Sequence, residues 1–254
     1  MTESRAHPEQ TPLVLLHGWG AHGGVWDDLA SRFHDHQMVM APDLPGHGTV
    51  LPVAPYDMDR VVDHLAAAAP ARCVVAGWSL GGQLALAWAR RYPQQVRRLI
   101  LIATTPRFVS SADWPHGLAP AVVAEFATVL AHDAAATLRR FRLLETQGDV
   151  QALAAARRMD AALAVRPLPG DGVLERTLRW LEEGDLRDVL GGIAQPTLVL
   201  HGERDHIIPP AAGEFLAQQL PQARLRMIAG AAHAPFMTDP EAVCRLISGF
   251  CDAQ

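Results

Sequence analysis

The chain has 254 residues, of which 49% are apolar, and a formal net charge of -5 at pH 7. This length suits one large α/β domain or a core with a modest insertion, and the apolar content is enough for a sizeable core. The negative charge argues against a nucleic-acid-binding protein, because such proteins are normally basic. All 22 basic side chains are arginine, so Schiff-base, P-loop and kinase-type lysines are excluded.

Three cysteines, at positions 73, 244 and 251, are too few and too scattered for a disulfide framework or a zinc site. The N-terminal segment Met1–Gln10 is polar and lacks the apolar stretch of a signal peptide. No apolar run approaches the length that spans a bilayer. We therefore predict a cytoplasmic protein with no metal site and no membrane association.

Six short apolar runs predict six β-strands, and helical patterns lie between most of them. Because the runs are apolar throughout, they predict a mostly parallel sheet that helices cover on both faces. The expected helices lie near 57–69, 82–92, 211–220 and 239–251. The predicted strands are, in chain order, Pro12–Leu16, Met38–Ala41, Cys73–Ala76, Leu99–Ala103, Thr197–Leu200 and Ala223–Ile228.

A different pattern separates the fourth and fifth predicted strands. Residues 119–166 are rich in Ala, Leu and Arg at helical spacing, and 172–190 continue with helical segments. An insertion here would lie over the carboxyl ends of the strands, where open α/β sheets bind ligands. We predict a core formed by 1–105 and 191–254 and a helical cap formed by 106–190.

A turn of small residues around Ser79 follows the third predicted strand. The apolar run 73–76 precedes the pattern G-x-S-x-G, and the helix-forming run 83–90 follows it, which is the context of a nucleophile elbow. Gly77 and Gly81 permit a tight turn in which a Cβ atom would clash. The sequence therefore predicts that Ser79 is a catalytic nucleophile; the alternative is a glycine-rich turn without a chemical role.

A serine nucleophile needs a base, and the base needs an acid that orients it. In hydrolases with a nucleophile elbow, these residues follow in the order serine, acid, histidine. Asp205 lies in the loop after the fifth predicted strand, whereas the alternative acid Glu203 follows that strand too closely. His233 lies in a loop of small residues after the sixth strand. We predict the triad Ser79, Asp205 and His233; the alternatives are a turn-forming aspartate and a structural histidine.

Two backbone N–H groups are candidates for an oxyanion hole, which stabilises the charge of a tetrahedral intermediate. The first belongs to Leu80, directly after the nucleophile. The second belongs to Trp19, in the loop after the first predicted strand, where the indole is also expected to line the pocket. The alternative for that loop is a simple glycine turn with a packing tryptophan.

Taken in order, these motifs resemble the α/β-hydrolase superfamily and, within it, the family of pimeloyl-[acyl-carrier protein] methyl ester esterases of biotin synthesis. The similarity extends over roughly residues 11–250. The motifs that carry it are HGWG at 17–20, DLPGHG at 43–48, GWSLGG at 77–82, TPRF at 105–108, DWP at 113–115, GERD at 202–205 and AAHAPF at 231–236.

The resemblance implies an α/β-hydrolase fold and hydrolysis of the methyl ester of pimeloyl-[acyl-carrier protein] to the free acid and methanol. It implies a carrier protein as partner, no cofactor and a monomer. At 141–145 the family pattern Phe-Leu-Ala-Leu-Gln is replaced here by Phe-Arg-Leu-Leu-Glu. The substrate contacts that it implies are Trp19, Ser79, Leu80, Phe141, Arg142, Leu143, Leu144, Glu145 and His233.

The predicted cap is locally basic although the whole chain is acidic. The segment between Thr137 and Leu168 contains six arginines and three acidic residues, which gives a local charge of about +3. Because carrier proteins are acidic, we predict that this region docks the carrier; the alternative is ordinary solvated surface. The predicted docking residues are Arg139, Arg142, Arg157 and Arg158.

Two other functions are compatible with these residues. The first is a short-chain carboxylesterase of broad specificity, or a carbon–carbon bond hydrolase, that uses the same triad. The second is a non-catalytic binding protein with a hydrolase fold. The presence of all three triad residues argues against the second alternative.

Overall fold

A single sheet of six parallel strands organises the molecule. The computed structural model describes residues 11–33, 37–170 and 172–253, so the prediction for Met1–Gln10 lies outside the described residues. The strand order is β2-β1-β3-β4-β5-β6. The strands are β1 (Leu13–Leu16), β2 (Val39–Met40), β3 (Cys73–Trp78), β4 (Val96–Ile102), β5 (Thr197–Gly202) and β6 (Ala223–Ile228).

Helices cover both faces of this sheet, because successive strand residues point to opposite sides. One face packs against Leu29 of α1 and Val243 and Ile247 of α10. The other packs against α2, α3 and α8, with Leu84 and Trp88 among the buried residues. The helices of the core are α1 (Asp27–Ala30), α2 (Met58–Ala68), α3 (Leu80–Arg91), α8 (Pro210–Gln219), α9 (Pro235–Thr238) and α10 (Pro240–Asp252).

The predicted sheet is confirmed, and its strands differ from the prediction at their ends. β3 continues through Gly77 to Trp78 and so carries the chain directly to Ser79. β4 begins at Val96, three residues before the predicted start. Arg97 and Arg98 follow Val96 in this strand. Because they are polar, the apolar run in the sequence begins only at Leu99.

Among the described residues, four α-helices and the 3-10 helix Arg187–Gly192 lie between β4 and β5, and we call residues 106–190 the cap. A third apolar cluster joins the cap to loops at the carboxyl ends of the strands. It combines Trp19, Leu80 and Ile207 of the core with Leu138 and Leu178 of the cap. The cap helices are α4 (Pro120–His132), α5 (Ala134–Glu145), α6 (Ala152–Leu163) and α7 (Val173–Glu183).

One ion pair connects the cap to the core, and another connects the two ends of the cap. Arg166 pairs with the buried Asp43, which lies in the loop after β2. Arg107 pairs with Asp185 at 2.8 Å and so joins the two ends of the cap. The domain boundaries that we predicted remain a prediction. Within the part of the chain that the structure describes, no helix is long and apolar enough to cross a membrane.

Candidate active site

Ser79 occupies a strained turn between β3 and α3, which we call the nucleophile turn (residues 77–81). Its backbone has φ 55° and ψ -119°, a conformation that non-glycine residues rarely adopt. A Cβ atom at Gly77 would lie 2.1 Å from the carbonyl oxygen of Gly81, and one at Gly81 would lie 2.4 Å from that of Leu16. Only glycine therefore allows the strand and helix to approach this closely around Ser79.

Asp205 is buried in the loop after β5, and both its carboxylate oxygens are fully engaged. Oδ1 accepts hydrogen bonds from the backbone N–H groups of Ile207 and Ile208, each at 2.9 Å. Oδ2 accepts one from Nδ1 of His233 at 2.8 Å and lies 3.3 Å from Nε2 of His201. Burial raises the pKa of Asp205, but attraction and hydrogen bonding to His233 and His201 outweigh it and hold the pKa well below the usual range.

His233 lies in the loop after β6, residues 229–234, which we call the base loop. Its ring is buried, and its Nδ1–H points at Asp205. The opposite nitrogen, Nε2, is buried without a hydrogen-bond partner among the described residues. Trp78, the residue before Ser79, donates from Nε1 to the carbonyl of His233 at 2.8 Å. The imidazole is thus oriented by an acid, has one nitrogen free, and is tied to the chain beside Ser79.

The loop after β1 lies against the nucleophile turn. An ideal Cβ on Gly18 would be 3.3 Å from Cβ of Ser79. The hydrogen bonds among the described residues leave the backbone N–H groups of Trp19 and Leu80 without an acceptor. Leu80 also begins α3, so the positive end of that helix adds to the attraction for an anion. The oxyanion hole predicted from these two groups remains a prediction.

An apolar cavity of about 190 Å³ lies between the core and the cap. Ser79 and Trp19 line it from the core, so a ligand there can reach the serine hydroxyl. Trp19 packs edge-on against Phe126 and Phe141, with ring centroids 5.4 and 5.2 Å away. The lining residues are Trp19, Ser79, Phe108, Leu118, Val122, Val123, Phe126, Phe141, Leu144, Gln147, Leu178, Leu181, His206 and Ile207.

Only part of the predicted substrate segment of α5 reaches this cavity. Phe141 and Leu144 line it, because residues three apart share one face of a helix. Leu143 is 65% exposed and points away, since it follows Phe141 by two residues and thus lies on the opposite side. The buried Leu80 and His233 do not line the cavity either. The predicted contact through Leu143 therefore disagrees with its position.

Arg142 and Glu145 are also predicted substrate contacts, and both have other surroundings. Arg142 pairs with Asp160 at 3.0 Å and so connects α5 to α6. Glu145 is buried beneath the base loop, where its backbone carbonyl accepts the N–H of His233 at 3.1 Å. Burial raises the pKa of the Glu145 carboxyl well above its ordinary value; Arg142 opposes this shift and Asp205 adds to it.

The other predicted docking arginines lie on the outside of the cap. Arg139 on α5 and Arg157 on α6 are exposed. Arg158 is partly buried, and its guanidinium lies 3.5 Å from Oε1 of Gln151. Because Arg142 is paired with Asp160, it is less available to a partner than the other three predicted docking residues.

Sequence reasoning missed several residues of this site. Phe126, Gln147 and His206 line the cavity, and only His206 had a signal in the sequence, since it directly follows the predicted acid. Asp149 hydrogen bonds to the base loop, although nothing near it in sequence indicates this. Among the described residues, no group of three or more His, Cys, Asp or Glu is placed to hold a metal ion. The predicted independence from metal remains a prediction.

Comparisons with known proteins agree with this geometry. A family model described as alpha/beta hydrolase fold matches residues 11–240. The pimeloyl-[acyl-carrier protein] methyl ester esterase of Nitrosomonas europaea is 41% identical over 234 residues, which cover 90% of this chain and 91% of the relative. The protein of that name from Aromatoleum aromaticum is 42% identical over 240 residues, or 92% and 96% of the two chains.

A solved esterase from Exiguobacterium antarcticum superposes with a TM-score of 0.85. The superposition covers 97% of this chain and 94% of the esterase, at 20% sequence identity. At this identity the likeness supports the fold alone.

Proposed function

The chain belongs to the α/β hydrolase fold family, and from this premise we propose that it hydrolyses the methyl ester of pimeloyl-[acyl-carrier protein]. The products are methanol and pimeloyl-[acyl-carrier protein], the latter an intermediate of biotin synthesis. Relatives that carry this activity in their names are 41% and 42% identical over nearly the whole chain. In the site itself, the proposal rests on one observation: a buried His233–Asp205 pair beside a strained serine that lines an apolar cavity.

In the first half of the proposed reaction, His233 Nε2 takes the proton of the Ser79 hydroxyl as its oxygen attacks the ester carbonyl. Asp205 holds the imidazole in the tautomer that leaves Nε2 free and stabilises the positive charge that forms. The oxyanion of the tetrahedral intermediate accepts hydrogen bonds from the backbone N–H groups of Trp19 and Leu80. The intermediate collapses, His233 protonates the leaving oxygen, and methanol departs.

In the second half, water replaces methanol. His233 removes a proton from the water, whose oxygen attacks the acyl group on Ser79 and forms a second tetrahedral intermediate. The proton then passes from His233 to the serine oxygen as the acyl–serine bond breaks. The carrier-bound free acid is released, and the enzyme returns to its starting state. No step requires a metal or a cofactor.

The cavity and the cap are compatible with the two ends of this substrate. The lining is almost entirely apolar, which favours a hydrocarbon chain. Outside it, Arg139, Arg157 and Arg158 offer positive charge to an acidic carrier protein. Such a substrate places the enzyme in the cytoplasm, and we propose that it acts there as a monomer.

Complementation of a biotin-requiring bacterial strain that lacks its own esterase tests the proposal. We expect the wild-type chain to restore growth without biotin and the Ser79→Ala variant, expressed to the same level, not to restore it. Failure of the wild-type chain, together with rapid hydrolysis of p-nitrophenyl acetate in vitro, would instead favour a short-chain carboxylesterase of broad specificity.

A further inference from the structure

Asp149 is an acidic residue that is buried at the boundary between the cap and the base loop. It lies in the linker between α5 and α6, residues 146–151, which we call the cap linker, and is only 9% exposed. Among the described residues it has no cationic partner within ion-pair distance. A buried carboxylate without a cation is costly unless neutral donors satisfy its oxygens. The donors that satisfy Asp149 therefore indicate what it holds in place.

The two oxygens of Asp149 face two different parts of the chain. Oδ1 accepts the backbone N–H of Gln151 at 2.6 Å, which fixes the start of α6. Oδ2 accepts the backbone N–H of Ala232 at 3.1 Å and a short hydrogen bond from the Thr238 hydroxyl. Ala232 directly precedes His233, so the carboxylate joins the cap to the residue next to the proposed base.

Neighbouring hydrogen bonds strengthen this connection. The N–H of Val150 donates to the carbonyl of Gly230 at 3.0 Å, and the N–H of His233 donates to the carbonyl of Glu145 at 3.1 Å. The cap linker also touches the loop after β5 that carries Asp205, because Nη1 of Arg204 donates to the carbonyl of Gly148 at 3.3 Å. The cap thus contacts both loops that carry the proposed acid and base.

The base loop offers little of its own to fix its shape. It is composed of small residues, and Gly230 has a φ of +72°. Such a segment has few side-chain contacts and high backbone freedom. Its position therefore depends on groups outside it, and two carboxylates accept backbone N–H groups of the loop: Glu203 that of Gly230 at 3.3 Å and Asp149 that of Ala232 at 3.1 Å. Of these two, only Asp149 belongs to the cap.

We propose that Asp149 is a positioning residue that holds the base loop so that His233 stays aligned with Asp205 and Ser79. The inference rests on the proposed function, in which His233 is the general base. Misplacing a catalytic group by about 1 Å costs on the order of 100-fold in rate. Loss of this contact therefore reduces turnover even though Asp149 touches neither the substrate cavity nor the imidazole.

The variant Asp149→Asn tests this role with almost no change of shape. An amide presents an oxygen to one side and an N–H₂ group to the other, so either Gln151 or Ala232 meets a donor where it needs an acceptor. We expect kcat for a p-nitrophenyl ester to fall roughly 10- to 100-fold, with little change in KM. The rate at which a fluorophosphonate labels Ser79 is expected to fall in parallel, because labelling needs the base.

Asp239→Ala is the matched control. Asp239 lies beside Thr238 and caps α10 by accepting the N–H of Ala242 at 2.8 Å. Among the described residues, its side chain has no hydrogen bond to the base loop. Its loss is expected to lower the melting temperature while kcat stays near the wild-type value. Asp149→Asn and Asp239→Ala are therefore compared at a temperature well below both melting transitions.

Thr238 supplies a second test that does not depend on the folding of Asp149→Asn. Thr238→Val keeps the shape and removes the hydroxyl, so kcat is expected to fall by a smaller factor. Thr238→Ser keeps the hydroxyl and is expected to retain wild-type turnover. If Asp149→Asn and Thr238→Val lower the melting temperature but leave kcat and labelling equal to those of Asp239→Ala, Asp149 is merely structural and the inference is wrong. A wild-type chain that neither cleaves esters nor reacts with the probe would overturn the proposed function itself.

Discussion

The nucleophile turn and the base loop are held in place in opposite ways. In the nucleophile turn, all the support comes from the core: Gly77 and Gly81 allow the close approach of β3 and α3, and the backbone strain falls on Ser79. The N–H of Ser79 donates to the carbonyl of Ile102 at 3.0 Å, and its carbonyl accepts the hydroxyl of Thr104 at 2.7 Å. The base loop, in contrast, is also held by hydrogen bonds from residues of the cap. The N–H of His233 is held by Glu145 and its carbonyl by Trp78.

This difference indicates which part of the site is sensitive to substitutions far from it. A turn fixed by contacts within the core is expected to keep its shape when the cap is changed. A loop fixed by contacts from the cap follows the cap, so mutations there reach the chemistry through the base. Substitutions in the two regions are therefore expected to differ in how they affect turnover.

Ser79→Ala and His233→Ala remove the side chains that we propose react in the two regions. Each is expected to reduce kcat on the order of 10⁵-fold or more while the protein stays folded, because triad residues act as one unit. Ester hydrolysis and circular dichroism are measured on the same preparations. Turnover of p-nitrophenyl acetate by His233→Ala at the wild-type rate would remove this histidine from the mechanism.

Features of the site that lie close together in the sequence were predictable, whereas contacts between distant segments were not. Ser79 was predictable because its strand, glycines and helix are contiguous in the chain. The pairing of Asp205 with His233 was predictable from their positions after the fifth and sixth strands, and their roles as acid and base remain a prediction. The support of the base loop was not predictable, since Asp149 and Ala232 are separated by 83 positions and no local pattern links them. The predicted contact through Leu143 failed for a different reason. A family pattern marks a contiguous segment, whereas a helix buries only one of its faces.

Asp205→Asn tests the orientation of the base without removing it. The amide no longer stabilises the tautomer with a free Nε2, so kcat is expected to fall on the order of 10⁴-fold, less than for His233→Ala. Burial of the Asp205 side chain predicts that the variant also loses some stability. A pH–rate profile of wild type and variant checks this assignment. A loss of less than tenfold would favour another acid, with Glu203→Gln as the comparison.

The cap arginines test whether the outer surface of the cap can be changed without disturbing the base loop. Arg142 belongs to the internal pair with Asp160, so the sharper variant changes only Arg139, Arg157 and Arg158 to Glu. Each exposed charge alone contributes little, but together they affect encounter with an acidic partner. We expect kcat/KM for the carrier-bound ester to fall on the order of tenfold or more at low salt.

The control is the same variant with a small free ester, for which only a slight loss is expected. High salt is expected to reduce the difference between variant and wild type on the carrier-bound ester, because it screens the charges. Equal losses on the two substrates would mean that these arginines hold the cap together, and the docking proposal would be wrong.

Glu145→Gln gives the smallest effect and concerns stability. Because the pKa of the buried Glu145 is raised in the folded protein, the folded state holds this proton more strongly than the unfolded state. Its contribution is therefore lost as the pH rises from the ordinary value of 4.5 through the raised folded pKa. We expect the glutamine variant to be the more stable form at neutral to alkaline pH and the two to converge in acid.

Urea unfolding at several pH values measures this difference, with the exposed Glu125→Gln as the matched control. The family pattern has glutamine at position 145, and a protonated glutamate has nearly the same shape and hydrogen-bonding groups. Identical pH dependence in wild type and Glu145→Gln would contradict a raised pKa at this position.

In the proposed reaction, Ser79 attacks the methyl ester of a carrier-bound pimeloyl chain, and the thioester stays intact. Intact-protein mass spectrometry of the carrier tests it directly after incubation with the purified chain. We expect the carrier to lose the mass of one methylene group with the wild-type chain, and to remain unchanged with Ser79→Ala. A carrier whose mass stays constant with the wild-type chain, or falls to that of the bare phosphopantetheine form, would contradict the claim.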